Sequence, residues 1–226
     1  LDRCLEDLYE AGGTEVFYKV AAHALRVYGI QSRFVHLDSS SFHLHGAYYR
    51  QEPELEAISI TYGYSKDHRP DLKQVVVQLI TNHKSALPVW FEALSGNSND
   101  KKTFTASVKA YCQQMNASDR PYLVMDSAGF SEATLKVAQE QAICWLMRVP
   151  ETLAHAKQLV KETLAADMSE IKPGYKSKET ECEYAGVKQR WLIVFSEAAQ
   201  AREAKTLEKA QAKELVTAQK EWRKIE

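Results

Sequence analysis

Apolar side chains near the start of the chain recur at helical intervals, with Val16, Val20, Ala24 and Val27 on one face. Gly12 and Gly13 interrupt that pattern, so the first thirty or so residues predict two short helices. The period then drops to two. Arg33-Phe34-Val35-His36-Leu37-Asp38 alternates and runs into Ser39-Ser40-Ser41, which predicts a strand ending at Asp38 in a serine-rich turn. Residues 42–49 predict a further short strand or an irregular excursion. Residues 74–81 are rich in β-branched side chains, 82–85 are polar, and 87–94 are again apolar, which predicts an antiparallel hairpin.

The second half alternates between the two periods. After the loop 96–100, Phe104, Val108, Tyr111, Cys112 and Met115 share a helical face, with Asp100 placed to cap it. Residues 121–126 predict a buried strand ending in an acid, and Ser131 caps a helix reaching about Glu140. Residues 142–149 predict another strand, 151–168 an amphipathic helix, and 181–196 a two-stranded ribbon turning near Ala185-Gly186. From Glu197 onward, Ala204, Leu207, Gln211, Leu215, Ala218, Trp222 and Ile225 fall at steps of three and four, the mark of a long helix with one apolar stripe. The expected fold class is α/β, a mixed sheet flanked by helices. Its expected divisions are a helical segment over 1–30, a core over 31–196 and the long helix over 197–226.

Composition narrows the partners more than the fold. The formal net charge is −1, so no general basic surface is available for nucleic acid, and any such site is local or lies outside these residues. No run approaches ~18 apolar residues, which argues against a membrane span. The opening LDRCLEDLYEAGG lacks the basic flank and apolar stretch of a signal peptide. Cys4, Cys112, Cys144 and Cys182 are scattered without a CxxC pair, as expected of reduced thiols in a cytoplasmic protein. The missing initiator Met and the ending KEWRKIE, inside a helical pattern, read as a piece of a longer protein.

Strand direction draws polar features together. If the first strand ends at Asp38, an antiparallel neighbour starting at Lys73-Gln74 begins at the same rim, and so do the block YGYSKDHRPDLKQ (62–74) and the turn at Gly96-Asn97. A later strand parallel to the first ends there too, at Asp126. Two carboxylates on one rim repel unless a cation lies between them, and hard oxygen donors with open positions suit Mg²⁺ or Mn²⁺. Lys66, Arg69 and Lys73 would contact phosphates beside them. On spacing alone, an aspartate closing a strand is also an ordinary turn residue, and the charged block an ordinary solvated loop.

The blocks FVHLDSSSFHLHG, YGYSKDHRPDLKQVVVQL, LPVWFEALSGNSNDKKTF, YLVMDSAGFS and KQRWLIVFSE, in that order, closely resemble bacterial insertion-sequence transposases of the DDE type, in the subgroup with a GYSKDHRPDLKQ block. The resemblance spans about residues 33–200. It implies an RNase H-like fold and Mg²⁺-dependent (or Mn²⁺-dependent) cutting and joining of DNA at transposon ends. It further implies a homodimer on double-stranded DNA, in a bacterial cytoplasm near the nucleoid. By that resemblance Asp38 and Asp126 are the first two acids of the triad and the metal ligands. Lys66, His68, Arg69, Lys73 and Asn97 become the expected DNA contacts, and the long helix the start of an insertion. The third acid, a Glu in a Tyr/Arg/Glu/Lys helix, is matched by neither Glu197 nor Glu226, so it is expected beyond Glu226, and these residues alone would be inactive.

Two other readings stay open at the level of sequence. A catalytically inactive transposase-derived DNA-binding or interaction domain would keep the same blocks. A zinc-dependent hydrolase could draw ligands from His36, His43 and His45, since His-x-His on a strand supplies two imidazoles. No GxGxxG, GxxxxGK or GxSxG motif supports a nucleotide fold or a serine hydrolase.

Overall fold

The computed structural model describes residues 2–48, 57–65, 67–116 and 119–222. The chain divides into two compact units, Leu1–Pro150 and Glu151–Glu226.

In the first unit, α1 (Asp2–Ala11) and α2 (Gly13–Val27) are separated by Gly12, whose φ of +77° turns the chain where a side chain would be strained. Five strands follow, with two helices between them: β1 (Phe34–Leu44), β2 (Lys73–Asn82), β3 (Pro88–Ser95), α3 (Asp100–Gln113), β4 (Tyr122–Met125), α4 (Glu132–Glu140) and β5 (Trp145–Met147). The sheet order is β3-β2-β1-β4-β5. β1, β2 and β3 are antiparallel neighbours, whereas β4 runs parallel to β1 and β5 parallel to β4. This mixed sheet with helices against it is RNase H-like.

Alternation gives the sheet two unlike faces. Val35, Leu37, Ile80, Leu123 and Met125 point to the buried face, where they meet Phe104, Val108, Tyr111 and Cys112 of α3 and Ala138 of α4. The same face carries a buried polar row. Gln78 donates to Thr103 Oγ1 and accepts from Ser107, whose hydroxyl also meets Glu92. These bonds satisfy groups that would otherwise be expensive to bury. α2 lies along β3, with Phe17 against Phe91 and Tyr18 against Trp90.

Two caps bear on the expected boundaries. Ser131 accepts from the Thr134 amide at 3.2 Å, as a capping serine should. α3 already includes Asp100, and the Asn99 carbonyl accepts from Lys102 and Thr103 (3.1 Å each), so the cap position falls one residue earlier than expected.

The second unit holds α5 (Ala154–Glu162), then β6 (Ser169–Lys172), β7 (Tyr175–Tyr184) and β8 (Val187–Ser196) in a three-stranded antiparallel sheet, then α6 (Glu197–Trp222). The β7–β8 ribbon turns at Ala185-Gly186, both at positive φ (53° and 75°), a geometry matched to strand twist. α6 is the long helix expected, and none of its described side chains is buried.

The thiols divide by burial. Cys4 and Cys144 are exposed, whereas Cys112 and Cys182 are buried, and burial pushes both buried thiols up from the ordinary value. Two thiols per chain should therefore react promptly with a chromogenic disulfide reagent under native conditions, and the other two only on unfolding. Prompt reaction of all four would contradict this packing.

Candidate active site

β1 does not end at Asp38. It continues through Ser39-Ser40-Ser41, which pair with Gln78, Val77 and Val76 of β2, to Leu44 opposite Lys73. Asp38 thus sits in mid-strand, opposite Leu79. β4 pairs with β1 in the register Phe34↔Tyr122, Val35↔Leu123 and His36↔Val124. Two residues further on, the same register sets Asp126, just past the end of β4, beside Asp38. Both lie on the exposed face, because each is an even step from Tyr122 or Phe34 and both are solvent-exposed. Adjacent strands are about 4.8 Å apart, which puts the two carboxylates within reach of one ion.

Local backbone contacts steady both acids. Asp38 Oδ1 accepts from the Ser39 amide at 2.8 Å, and Asp126 Oδ1 accepts from the Ala128 amide at 2.8 Å in the turn toward α4. These contacts engage one oxygen of each carboxylate. Among the described residues, no group of three or more His, Cys, Asp or Glu side chains is assembled to hold a metal ion. Glu197, in the first turn of α6, belongs to the second compact unit, and Glu226 lies outside the described residues.

The charged block stands elsewhere. Its strand, β2, begins at Lys73 opposite Leu44, six residues beyond Asp38. At about 3.3 Å per residue the block lies roughly 20 Å from the carboxylates. The shared rim expected from sequence therefore holds the two aspartates but not the block or Asn97. β1, β2 and β3 outrun the short β4 and carry those residues to the tip of a three-stranded ribbon.

At that tip the cations already have partners. Arg69 donates Nε and Nη2 to the two oxygens of Asp71 at 2.8 and 2.7 Å, holding the Asp71 carboxyl down at about 2. That pairing is fully present above the ordinary carboxylate value and is lost as pH falls through about 2. Lys73 Nζ donates to the carbonyls of Ala47 and Tyr48. His43 lies 3.0 Å from Ser65 Oγ and 3.4 Å from Asp67, fastening the block to β1. Tyr62, Tyr64, His68 and Asn97 are exposed at the tip, and Lys66 lies outside the described residues.

The same geometry corrects the zinc reading. His36 and His43 are seven residues apart on a strand without a bulge, on opposite faces of the sheet. They cannot share an ion, and His45 lies past the end of β1.

Sequence reasoning missed two features. His83, beyond the end of β2, lies 3.0 Å from His36. The side chain of Gln74 joins the block to the β3 turn, donating Nε2 to the Gly96 carbonyl at 2.7 Å and to the Tyr64 carbonyl at 3.3 Å. No spacing signal marks either, although the paired glycines at 63 and 96 hint at a close backbone approach.

A family model described as the transposase DDE domain matches residues 30–224. The chain belongs to the DDE transposase family. No curated protein matches this transposase chain. Among solved structures it is similar to the piggyBac transposase synaptic complex with hairpin DNA, at 10% identity and TM-score 0.43, over 74% of this chain and 33% of that one. It is also similar to the Mos1 transposase paired-end complex with left transposon end, at 8% identity and TM-score 0.34, over 67% and 53% of the two chains. The catalytic domain of Mos1 mariner transposase matches at 9% identity and TM-score 0.30, over 66% and 72%. The transposase chain thus spans about a third of the piggyBac chain and about half of the Mos1 chain from the paired-end complex.

Proposed function

We propose that Asp38 and Asp126 hold Mg²⁺ or Mn²⁺ and cut and join DNA strands at transposon ends. Membership of the DDE family supports the reaction class. The observation that carries the assignment to these two residues is the parallel β1–β4 register, which, carried two residues on, brings Asp38 and Asp126 side by side on an exposed face.

The donor set fits such an ion. Two carboxylates on neighbouring strands provide hard oxygens, leave most positions to water and phosphate, and include no sulfur or imidazole. When bound, divalent metal polarises the scissile phosphate and lowers the pKa of the attacking water or 3′-hydroxyl. Asp38, fixed in mid-strand, and Asp126, fixed by the Ala128 amide, would hold their oxygens in place without reorganisation, so the DNA phosphate would meet two donors already set. A third carboxylate, on this reading, is a Glu beyond Glu226, and residues 1–226 alone are inactive.

His68, Arg69, Lys73 and Asn97, with Lys66, are proposed as contacts to double-stranded DNA away from the chemistry. Tyr62 and Tyr64 offer aromatic faces there. A separation of roughly 20 Å corresponds to about six base pairs at 3.4 Å each, so the ribbon tip would touch the duplex about that far from the cut. Pairing of two ends by a homodimer follows the same reading.

The test is strand nicking and joining by the complete protein on DNA carrying its own transposon ends, with Mg²⁺, Mn²⁺ or chelator. Metal-dependent nicking at the end sequence is expected, with a footprint extending about six base pairs from the nick. Binding of the ends with no metal-dependent cleavage would favour the inactive DNA-binding reading instead.

A further inference from the structure

On the face that carries Asp38 and Asp126, a second cluster lies toward the other end of the strands. His83 follows β2, and its amide donates to the Phe34 carbonyl at 3.1 Å, which extends the β1–β2 pairing by one step. That step makes His36 and His83 a diagonal cross-strand pair on one face. Their rings stack, with centroids 5.3 Å apart and planes 28° from parallel, and His36 Nε2 lies 3.0 Å from His83 Nδ1. Phe34 forms one wall, packing edge-on against His83 and tilted against Tyr122 at 5.2 Å, with Arg33 over its outer side.

We infer that His36 and His83 form a binding site for an imidazole-seeking divalent transition metal, of the class of Cu²⁺, Ni²⁺ or Zn²⁺. At metal–nitrogen distances of about 2.0–2.1 Å, two nitrogens at neighbouring square-planar positions are ~2.9 Å apart, and at tetrahedral positions ~3.3 Å. The observed 3.0 Å falls between those values. In the free chain one of the two nitrogens donates to the other, so binding requires that proton to sit instead on the far nitrogen of its own ring and both rings to turn toward a common point. His83 is exposed and His36 is half-buried, and rotation about the ring torsion is soft. Water completes the coordination. Mg²⁺ does not compete, because it prefers oxygen donors and dehydrates reluctantly. The site is therefore chemically distinct from the carboxylate pair two residues along β1, and it stands whether or not that pair proves catalytic.

Cu²⁺ titration of the 226-residue chain at neutral pH, in excess Mg²⁺, decides the matter by calorimetry and electron paramagnetic resonance. One strongest-binding Cu²⁺ per chain is expected, with hyperfine coupling to two nitrogens and displacement by Ni²⁺ or Zn²⁺. His83→Ala, His83→Gln and His36→Ala should each weaken it at least about tenfold and reduce the coupling to one nitrogen. Asp38→Ala should leave it unchanged, which separates this site from the proposed catalytic one. Affinity unchanged from the parent in both His83 variants, as from scattered surface imidazoles such as His23 or His68, would overturn the inference. So would loss of the signal in Asp38→Ala alone.

Discussion

Asp126→Ala in the complete transposase is expected to lower metal-dependent strand nicking by about a thousandfold or more, equivalent to ~4 kcal/mol of transition-state stabilisation. Asp38→Ala should do the same, because the two side chains stand side by side in the β1–β4 register and, on the proposed reading, each gives a carboxylate to the same ion. Asp126→Asn separates charge from shape. Its amide oxygen can still accept from the Ala128 amide, as Oδ1 now does at 2.8 Å, yet the negative charge is gone. A comparable loss in Asn and Ala therefore identifies charge as the requirement. Folding offers the control. Two exposed carboxylates about 5 Å apart repel by roughly 1 kcal/mol in a water-like medium, so the metal-free Asn variant should be at least as stable as the parent. Nicking that persists in either single variant, with the fold intact, would sink the assignment.

The pair was legible in the sequence because its determinants are local. An apolar run closing in Asp126 and an alternating run through Asp38 each announce a strand, and a parallel sheet brings such positions together. The extent of β1 was not legible in the same way. Ser39-Ser40-Ser41 has the composition of a turn, but it lies opposite Val76, Val77 and Gln78, and pairing with that strand overrides the local preference. This single misreading moved the charged block by six residues, from beside the acids to the ribbon tip. β6 went unread for a related reason: Ser169–Lys172 is wholly exposed, with no buried side to create a pattern. The β7–β8 turn was read correctly because Ala185-Gly186 is a local instruction. His36–His83 and Gln74–Gly96 depend on register between distant segments, which no single-sequence spacing encodes.

Gly96→Ala is expected to destabilise the first unit by about 1–3 kcal/mol or more, large for the addition of one methyl group. An added Cβ there would lie 2.0 Å from the Gln74 carbonyl oxygen and 2.5 Å from that of Thr61, and both are backbone atoms that no rotamer change can move. The segment around Thr61 takes up backbone bonds at the start of β2, where the Thr61 and Gln74 amides and carbonyls exchange bonds at 2.8 and 3.2 Å. Gly96 itself donates to the Ser59 carbonyl at 3.0 Å. Making room for the methyl group means parting this junction, which leaves the 2%-exposed Gln74 without the Gly96 carbonyl it donates to. Gly63→Ala should act alike, since its Cβ would fall 1.9 Å from the Gly96 carbonyl oxygen. Urea unfolding followed by circular dichroism gives the loss, and amide hydrogen exchange locates it: the Thr61 and Gln74 amides should exchange faster in either variant, while those of β4 change only by the global loss. The consequence for function is separable from catalysis. A loosened tip should weaken binding of end DNA while leaving Asp38 and Asp126, roughly 20 Å away, in their register. A Gly96→Ala protein within 0.5 kcal/mol of the parent, roughly the scatter of a neutral surface substitution, would mean that the block is not built on this junction.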